Sequence, residues 1–134
     1  MIKFEILGQP VAKQRPRVTR SGIAYTPSKT VNYEAVVRLT YQSIYPQRKP
    51  FLGLIEANIT AVFPIPKSYP KKKTAELLAG CNNYAKKPDC DNLAKIILDA
   101  LNGIAYKDDS QVTVLHIKKE YGIQPKVIVE LKEI

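Results

Sequence analysis

The chain has 134 residues, a formal net charge of +9 at pH 7, and 45% hydrophobic and 25% charged residues. That is enough for one globular core, so residues 1–134 are read as a single domain of ordinary soluble composition. No apolar run nears the roughly 20 residues of a membrane helix, and MIKFEILGQPVAKQRPRV lacks the pattern of a secretory signal; a cytoplasmic protein without a membrane partner is expected.

IKFEIL (2–7) alternates apolar and polar residues, as a half-buried strand does. Residues 8–29 follow with three prolines, two glycines and five Lys/Arg, a composition that excludes a long regular element and predicts a basic, mostly extended loop. Residues 1–50 hold nine Lys/Arg against Glu5 and Glu34, whereas residues 51–134 hold twelve against ten acids. Basic charge concentrated in one part of a chain suits a polyanion, of which nucleic acid is the commonest. Lys13, Arg15, Arg17 and Arg20 are candidate phosphate contacts, with Tyr25 near enough in sequence to stack on a base.

A helix is predicted over 28–45, with Val36, Leu39 and either Tyr33 or Ile44 on its apolar face, Ser28 or Thr30 as cap, and PQRKP as terminator. LIEANITAVFPI (54–65) is a second strand. KSYPKKKTAELLAG (67–80) reads as a short helix closed by Gly80, and Lys71, Lys72 and Lys73 at its start are further candidate DNA contacts, as are Lys86 and Lys87. Asn92 to Asn102 forms an amphipathic helix, with Leu93, Ile97, Ala100 and Leu101 on one face, Asp91 placed to cap its start and Gly103 to close its end. QVTVLHIKKEYG (111–122) and PKVIVELKEI (125–134) near-alternate around a turn, a hairpin signal. The order strand, helix, strand, helix, helix, hairpin implies an α/β (α+β) domain, a mixed β-sheet with helices packed on it.

Cys81, Cys90 and the single histidine, His116, are too few and badly spaced for a zinc site, and the two cysteines are expected to be free thiols. Cys/His and Ser/His/Asp mechanisms are disfavoured too, so chemistry falls to carboxylates, lysines, tyrosines or a metal. The acids gather in KKPDCDNLAKIILDALNG and YKDDSQV. With 88–90 extended, Asp89 and Asp91 face the same side and Lys95 lies one helical turn beyond Asp91. Adjacent carboxylates repel unless a cation joins them, and Mg²⁺ or Mn²⁺ is suited to oxygen ligands of this kind. A calcium loop of the EF-hand type is excluded, because DCDNLAKIILDA lacks its central glycine and final glutamate. Spacing alone also allows a plainer reading, with Asp91 a cap, Asp89 a turn residue, and Asp108 and Asp109 a polar turn.

The run Asp89-Cys90-Asp91-Asn92, Lys95, Asp99-Ala100-Leu101 and Asp108-Asp109-Ser110-Gln111-Val112 resembles the signature of the RusA family of Holliday junction resolvases. GQPVAKQRPRV and YTPSK resemble the opening of that family, so the similarity spans most of the chain. The resemblance implies a dimeric, metal-dependent endonuclease of bacteria and their phages. Asp89, Asp91 and Asp109 would be its metal-binding catalytic carboxylates and Lys95 its catalytic lysine. Gln111 and Asp99 belong to the pattern as well, with structural roles expected. The implied substrate is a four-way DNA junction, cut on two opposed strands to leave nicked duplexes with 5′-phosphate and 3′-hydroxyl ends.

Two alternatives stand beside it. Asp89, Glu130 and Lys132 spell the loose PD…ExK pattern of restriction-type nucleases. A non-catalytic DNA-binding module would use the basic charge alone, with the aspartates as caps.

Overall fold

A computed structural model describes residues 1–80 and 83–134. The expected thiol at Cys81 lies outside the described residues, and Cys90 is a free thiol. The elements run β1 (Ile2–Leu7), β2 (Arg17–Val18), β3 (Ala24–Tyr25), α1 (Ser28–Ile44), β4 (Ile55–Pro64), α2 (Lys71–Leu78), α3 (Cys90–Ala100), a 3-10 turn (Asp109–Gln111), β5 (Val112–Gly122) and β6 (Lys126–Glu133). Four strands form a mixed sheet in the order β1-β6-β4-β5, in which only the β4–β5 pair is parallel. Among the described residues no helix is long and apolar enough to cross a membrane.

Period-two alternation decides which face of the sheet is covered. Ile2, Phe4 and Ile6 of β1, Ile55, Ala57, Ile59 and Ala61 of β4, and Val127, Val129 and Leu131 of β6 are buried together with the apolar faces of α1 and α3. Burial of this aliphatic surface is the main source of stability. The opposite face is polar, with Lys3 reaching Glu130 at 3.5 Å, Lys126 reaching Glu5 at 3.2 Å and His116 reaching Glu56 at 3.0 Å.

The C-terminal pair β5 and β6 runs antiparallel about a short connection, as the hairpin signal has it. β4 is nevertheless inserted between the two strands, so each bonds to β4 rather than to its sequence neighbour. The chain crosses the end of β4 at Gly122, where a Cβ would collide with the side chain of Val62.

Three local expectations change. In α1 the buried residues are Thr30, Tyr33, Val37 and Tyr41, while Val36, Leu39 and Ile44 are exposed. Tyrosines fill this space, Tyr41 meeting Phe4 edge-on at 5.5 Å, and of the expected face Tyr33 alone is buried. Neither Ser28 nor Thr30 caps α1: Pro27 occupies the cap position, and the Thr30 hydroxyl instead accepts a hydrogen bond from the Gln14 amide at 3.2 Å. Helix α3 starts at Cys90 rather than Asn92, which moves Asp91 from the cap into the first turn and makes Asp89 the cap residue by backbone position. Cys90 is therefore helical, and the extended 88–90 geometry that would align Asp89 with Asp91 does not form. Leu93, Ile97, Ala100 and Leu101 are buried, matching the predicted face, and Gly103 (φ 80°) follows the helix end in the left-handed conformation that glycine tolerates.

The 8–29 segment has no long element but carries the two-residue ladder β2–β3, turned through Gly22 at φ 83°. It is strapped between helices by Gln14 to Thr30 and by the Lys13 amide, which donates to the Asn92 carbonyl at 2.9 Å.

Candidate active site

Helix α3 is held by its buried stripe against α1 and β5, and this orientation turns Asp91, Lys95 and Asp99 to one side at successive intervals of four residues. The 3-10 turn supplies Asp109 from across a cavity of about 490 Å³, whose other walls include Cys90, Leu98, Leu115 and Ile117. Charged groups converge here over an apolar floor.

Gln111 fixes the turn. Its carbonyl oxygen accepts from the amides of Lys107 at 2.8 Å and Asp108 at 3.0 Å, while its amide nitrogen donates to the carbonyls of Phe51 and Gly53, both at 2.9 Å. Every hydrogen-bonding position of the side chain is used. Asp108 completes a capping box by accepting from the Ser110 amide at 3.2 Å, and hydrogen bonding from the Ser110 side chain, then from that amide, holds its carboxyl below the usual range. Of the two adjacent acids, one is thus committed to the turn and Asp109 is left facing α3.

Burial pushes the Asp109 carboxyl above its ordinary value, reinforced by the charges of Asp108 and Asp99 and a hydrogen bond to Asp99, with Lys95 opposing. A raised carboxylate pKa means that ionisation works against the fold, a penalty present at neutral pH and absent once the group is protonated in both states. Asp109→Asn is therefore expected to raise the melting temperature in EDTA at neutral pH, by on the order of 2 °C. The gain should shrink as pH falls through the carboxylate range. Paired thermal melts check both; a lower melting temperature at neutral pH would contradict the sign.

Asp99 is the hub of the cluster. One of its oxygens receives both Lys95 and Lys13 at 3.3 Å, and Lys13 also reaches Glu34 at 3.1 Å. Burial would lower the Lys13 ammonium, but its bonds to Glu34 and Asp99 outweigh that and leave it raised. Lys13 is only 20% exposed, so among the basic residues of the 8–29 loop it turns inward, whereas Arg15, Arg17 and Arg20 are exposed. Lys71, Lys72, Lys73, Lys86 and Lys87 are also on the surface.

Asp89 does not line the cavity with the others. Its two oxygens accept from the Lys87 ammonium at 3.0 and 3.1 Å, and it makes no capping hydrogen bond to α3. Glu130 and Lys132 alternate with buried Val129 and Leu131 on β6, and so occupy the sheet face away from α3. Glu130 is paired there with Lys3, which separates the PD…ExK set. Sequence reasoning undervalued Asp99, although its place four residues beyond Lys95 and eight beyond Asp91 was the available signal.

Among the described residues, no group of three or more His, Cys, Asp or Glu side chains is arranged to hold a metal ion as it stands. The donor chemistry does fit one: Asp91, Asp99 and Asp109 line the same cavity, and the strain on Asp109 is the kind that a hard cation relieves.

A family profile described as endodeoxyribonuclease RusA matches residues 8–132. A Bacillus subtilis (strain 168) protein named "Uncharacterized protein YqaN" is 36% identical over 138 residues, an alignment covering 99% of this chain and 96% of that one.

Proposed function

The chain belongs to the RusA endodeoxyribonuclease family, and from that membership we propose that it resolves four-way DNA junctions in recombination and repair. The reaction is metal-assisted hydrolysis of two opposed strands, carried out in the cytoplasm of a bacterium on chromosomal or phage DNA. The observation that carries this reading is the cavity where Asp91, Lys95 and Asp99 of α3 face Asp109.

Asp91 and Asp109 are the residues to hold Mg²⁺, or Mn²⁺ in its place, with Asp99 the third carboxylate of the same cavity and Asp89, paired with Lys87 outside it, a further candidate ligand. When bound, such an ion supplies an activated water and neutralises charge at the scissile phosphate. Lys95 presents its ammonium to the phosphate or the departing oxygen, held in place by Asp99 one turn along the helix. Arg15, Arg17, Arg20, Lys71, Lys72, Lys73, Lys86 and Lys87 contact the backbones of the DNA arms, and Lys13 supports the site from within. A symmetric homodimer suits a substrate with two equivalent scissile phosphates. Apolar side chains exposed on the outer side of α1 (Val31, Val36, Leu39) and Val114 on edge strand β5 support an interface with a second copy.

The test is incubation with an end-labelled synthetic four-way junction and its component linear duplex, in Mg²⁺ and in EDTA. Paired nicks in opposed strands of the junction, in Mg²⁺ only, are the expected result. Metal-independent binding without any nicking would instead favour a non-catalytic DNA-binding module.

A further inference from the structure

Four aromatic rings gather away from the acidic cavity, at the end of β4 and β5. Tyr84 stacks on Phe63 with ring centroids 4.0 Å apart and planes 10° from parallel. Tyr121 meets Tyr84 edge-on at 4.9 Å, and Tyr69 lies tilted to Tyr121 at 6.3 Å with their hydroxyls 3.5 Å apart.

Cations surround these rings. The Lys73 ammonium is 4.1 Å and that of Lys86 5.6 Å from the Tyr69 centroid, and Lys119 is 5.7 Å from that of Tyr84. Lys86 also donates to the Tyr69 hydroxyl at 3.2 Å. The bond to Tyr121, then that from Lys86, draws the Tyr69 phenol below its ordinary pKa. Gln9, Phe63, Tyr84, Tyr121, Lys67 and Lys86 line a cavity of about 420 Å³, within the roughly 300–1,000 Å³ of small-ligand sites.

A π-faced wall with lysines at its mouth is the complement of one nucleotide, a flat aromatic base joined to an anionic phosphate. The cluster is also tied to the segment that enters the catalytic helix. Lys119 donates to the carbonyls of Lys86 at 2.9 Å and Pro88 at 3.0 Å, and the Tyr84 hydroxyl donates to that of Lys87 at 3.1 Å. Asp89 follows directly.

We propose that this cavity binds one unpaired nucleotide of a DNA strand, its base against Tyr84 and Tyr121 and its phosphate at Lys67 and Lys86. The inference rests on the reading of the protein as a DNA junction nuclease and adds a subsite to it. At a four-way junction the occupant is a nucleotide unstacked near the exchange point, gripped next to the segment that carries Asp89.

The test uses the wild-type chain in EDTA and two fluorescein-labelled single-stranded oligomers of about 12 nucleotides, one of thymidylate and one abasic, matched in charge. Fluorescence anisotropy is expected to show about tenfold tighter binding of the base-bearing oligomer. Tyr84→Leu should erase that preference and Tyr84→Phe should keep it. A second measurement needs no variant: an oligomer carrying 5-iododeoxyuridine is photocrosslinked and the modified peptide mapped. Attachment at Tyr84 or Tyr121 supports the subsite. Equal affinity for the two oligomers, a preference that survives in folded Tyr84→Leu, or crosslinks confined to other residues would each overturn it. Junction cleavage in Mg²⁺ without base preference would sink this inference alone. Base preference without junction cleavage would sink the nuclease reading alone.

Discussion

Asp91→Asn is expected to reduce junction cleavage in Mg²⁺ by about 10³-fold or more, while junction binding in EDTA persists. Asparagine keeps the size of the side chain and removes its charge. Asp91 is exposed and makes no packing contribution to the buried stripe of α3. Its structural value is that of an acid in the first helical turn, about 0.3–1 kcal/mol, so the variant should fold and melt close to the wild type. Catalysis is different, because the same carboxylate is proposed to hold the cation opposite Asp109. Losing one negative charge near phosphate should tighten metal-free DNA binding slightly. Single-turnover nicking of a labelled junction, beside a gel-shift titration in EDTA, separates the two effects. Cleavage retained within tenfold of wild type would remove Asp91 from the site.

The second large effect falls on stability. Lys13→Ala removes the ammonium that joins Glu34 of α1 to Asp99 of α3, at 3.1 and 3.3 Å, in a place where the two carboxylates are 13% and 20% exposed. Two partly buried acids are then left facing one another, with Lys95 alone on Asp99. The expected cost is about 2 kcal/mol, or a fall of roughly 8 °C in melting temperature for a domain of this size. Cleavage should drop as well, since Asp99 also orients Lys95. Arg17→Ala and Arg20→Ala provide the contrast: both side chains are exposed, so melting should barely move, while DNA affinity falls and its salt dependence weakens by about one counterion per residue. Calorimetry of the three variants decides. A wild-type melting temperature for Lys13→Ala would return Lys13 to the exposed DNA-contacting group.

These contrasts show where sequence was informative. The stripe Leu93, Ile97, Ala100 and Leu101 is legible because helical periodicity reports burial directly, and all four residues are buried. The alternation of β1 and β6 is legible for the same reason with period two, whereas β5, at the sheet edge, takes its predicted span without the alternating burial expected of it. Lys13 is opaque, because a lysine in a proline-rich basic loop carries no local sign of the acids that two distant helices bring to it. Asp99 was legible from spacing, yet its link to Asp109 depends on how the 3-10 turn docks. Gln111 performs that docking through Phe51 and Gly53, residues 58 and more positions away in the chain. The buried face of α1 was misjudged because tyrosine is ambiguous in sequence, its ring apolar and its hydroxyl wettable. The gathering of Tyr69, Tyr84 and Tyr121 is tertiary throughout and has no local signature.

The insertion of β4 between β5 and β6 has a kinetic consequence. β6 is the last of the described strands and yet lies inside the sheet, pairing with β1 on one side, Ile2 opposite Leu131, and with β4 on the other. During synthesis, β1 and β4 emerge first and are not neighbours in the sheet, so the native order is not built strand by strand in the order of translation. Its closure waits on contacts between the two extremities of the described chain, the slowest kind to form. A nascent chain that already displays its basic loop and its aspartates therefore still lacks the scaffold that aligns them. The aspartates and the basic loop are thus brought into register only when the polypeptide has folded as a whole.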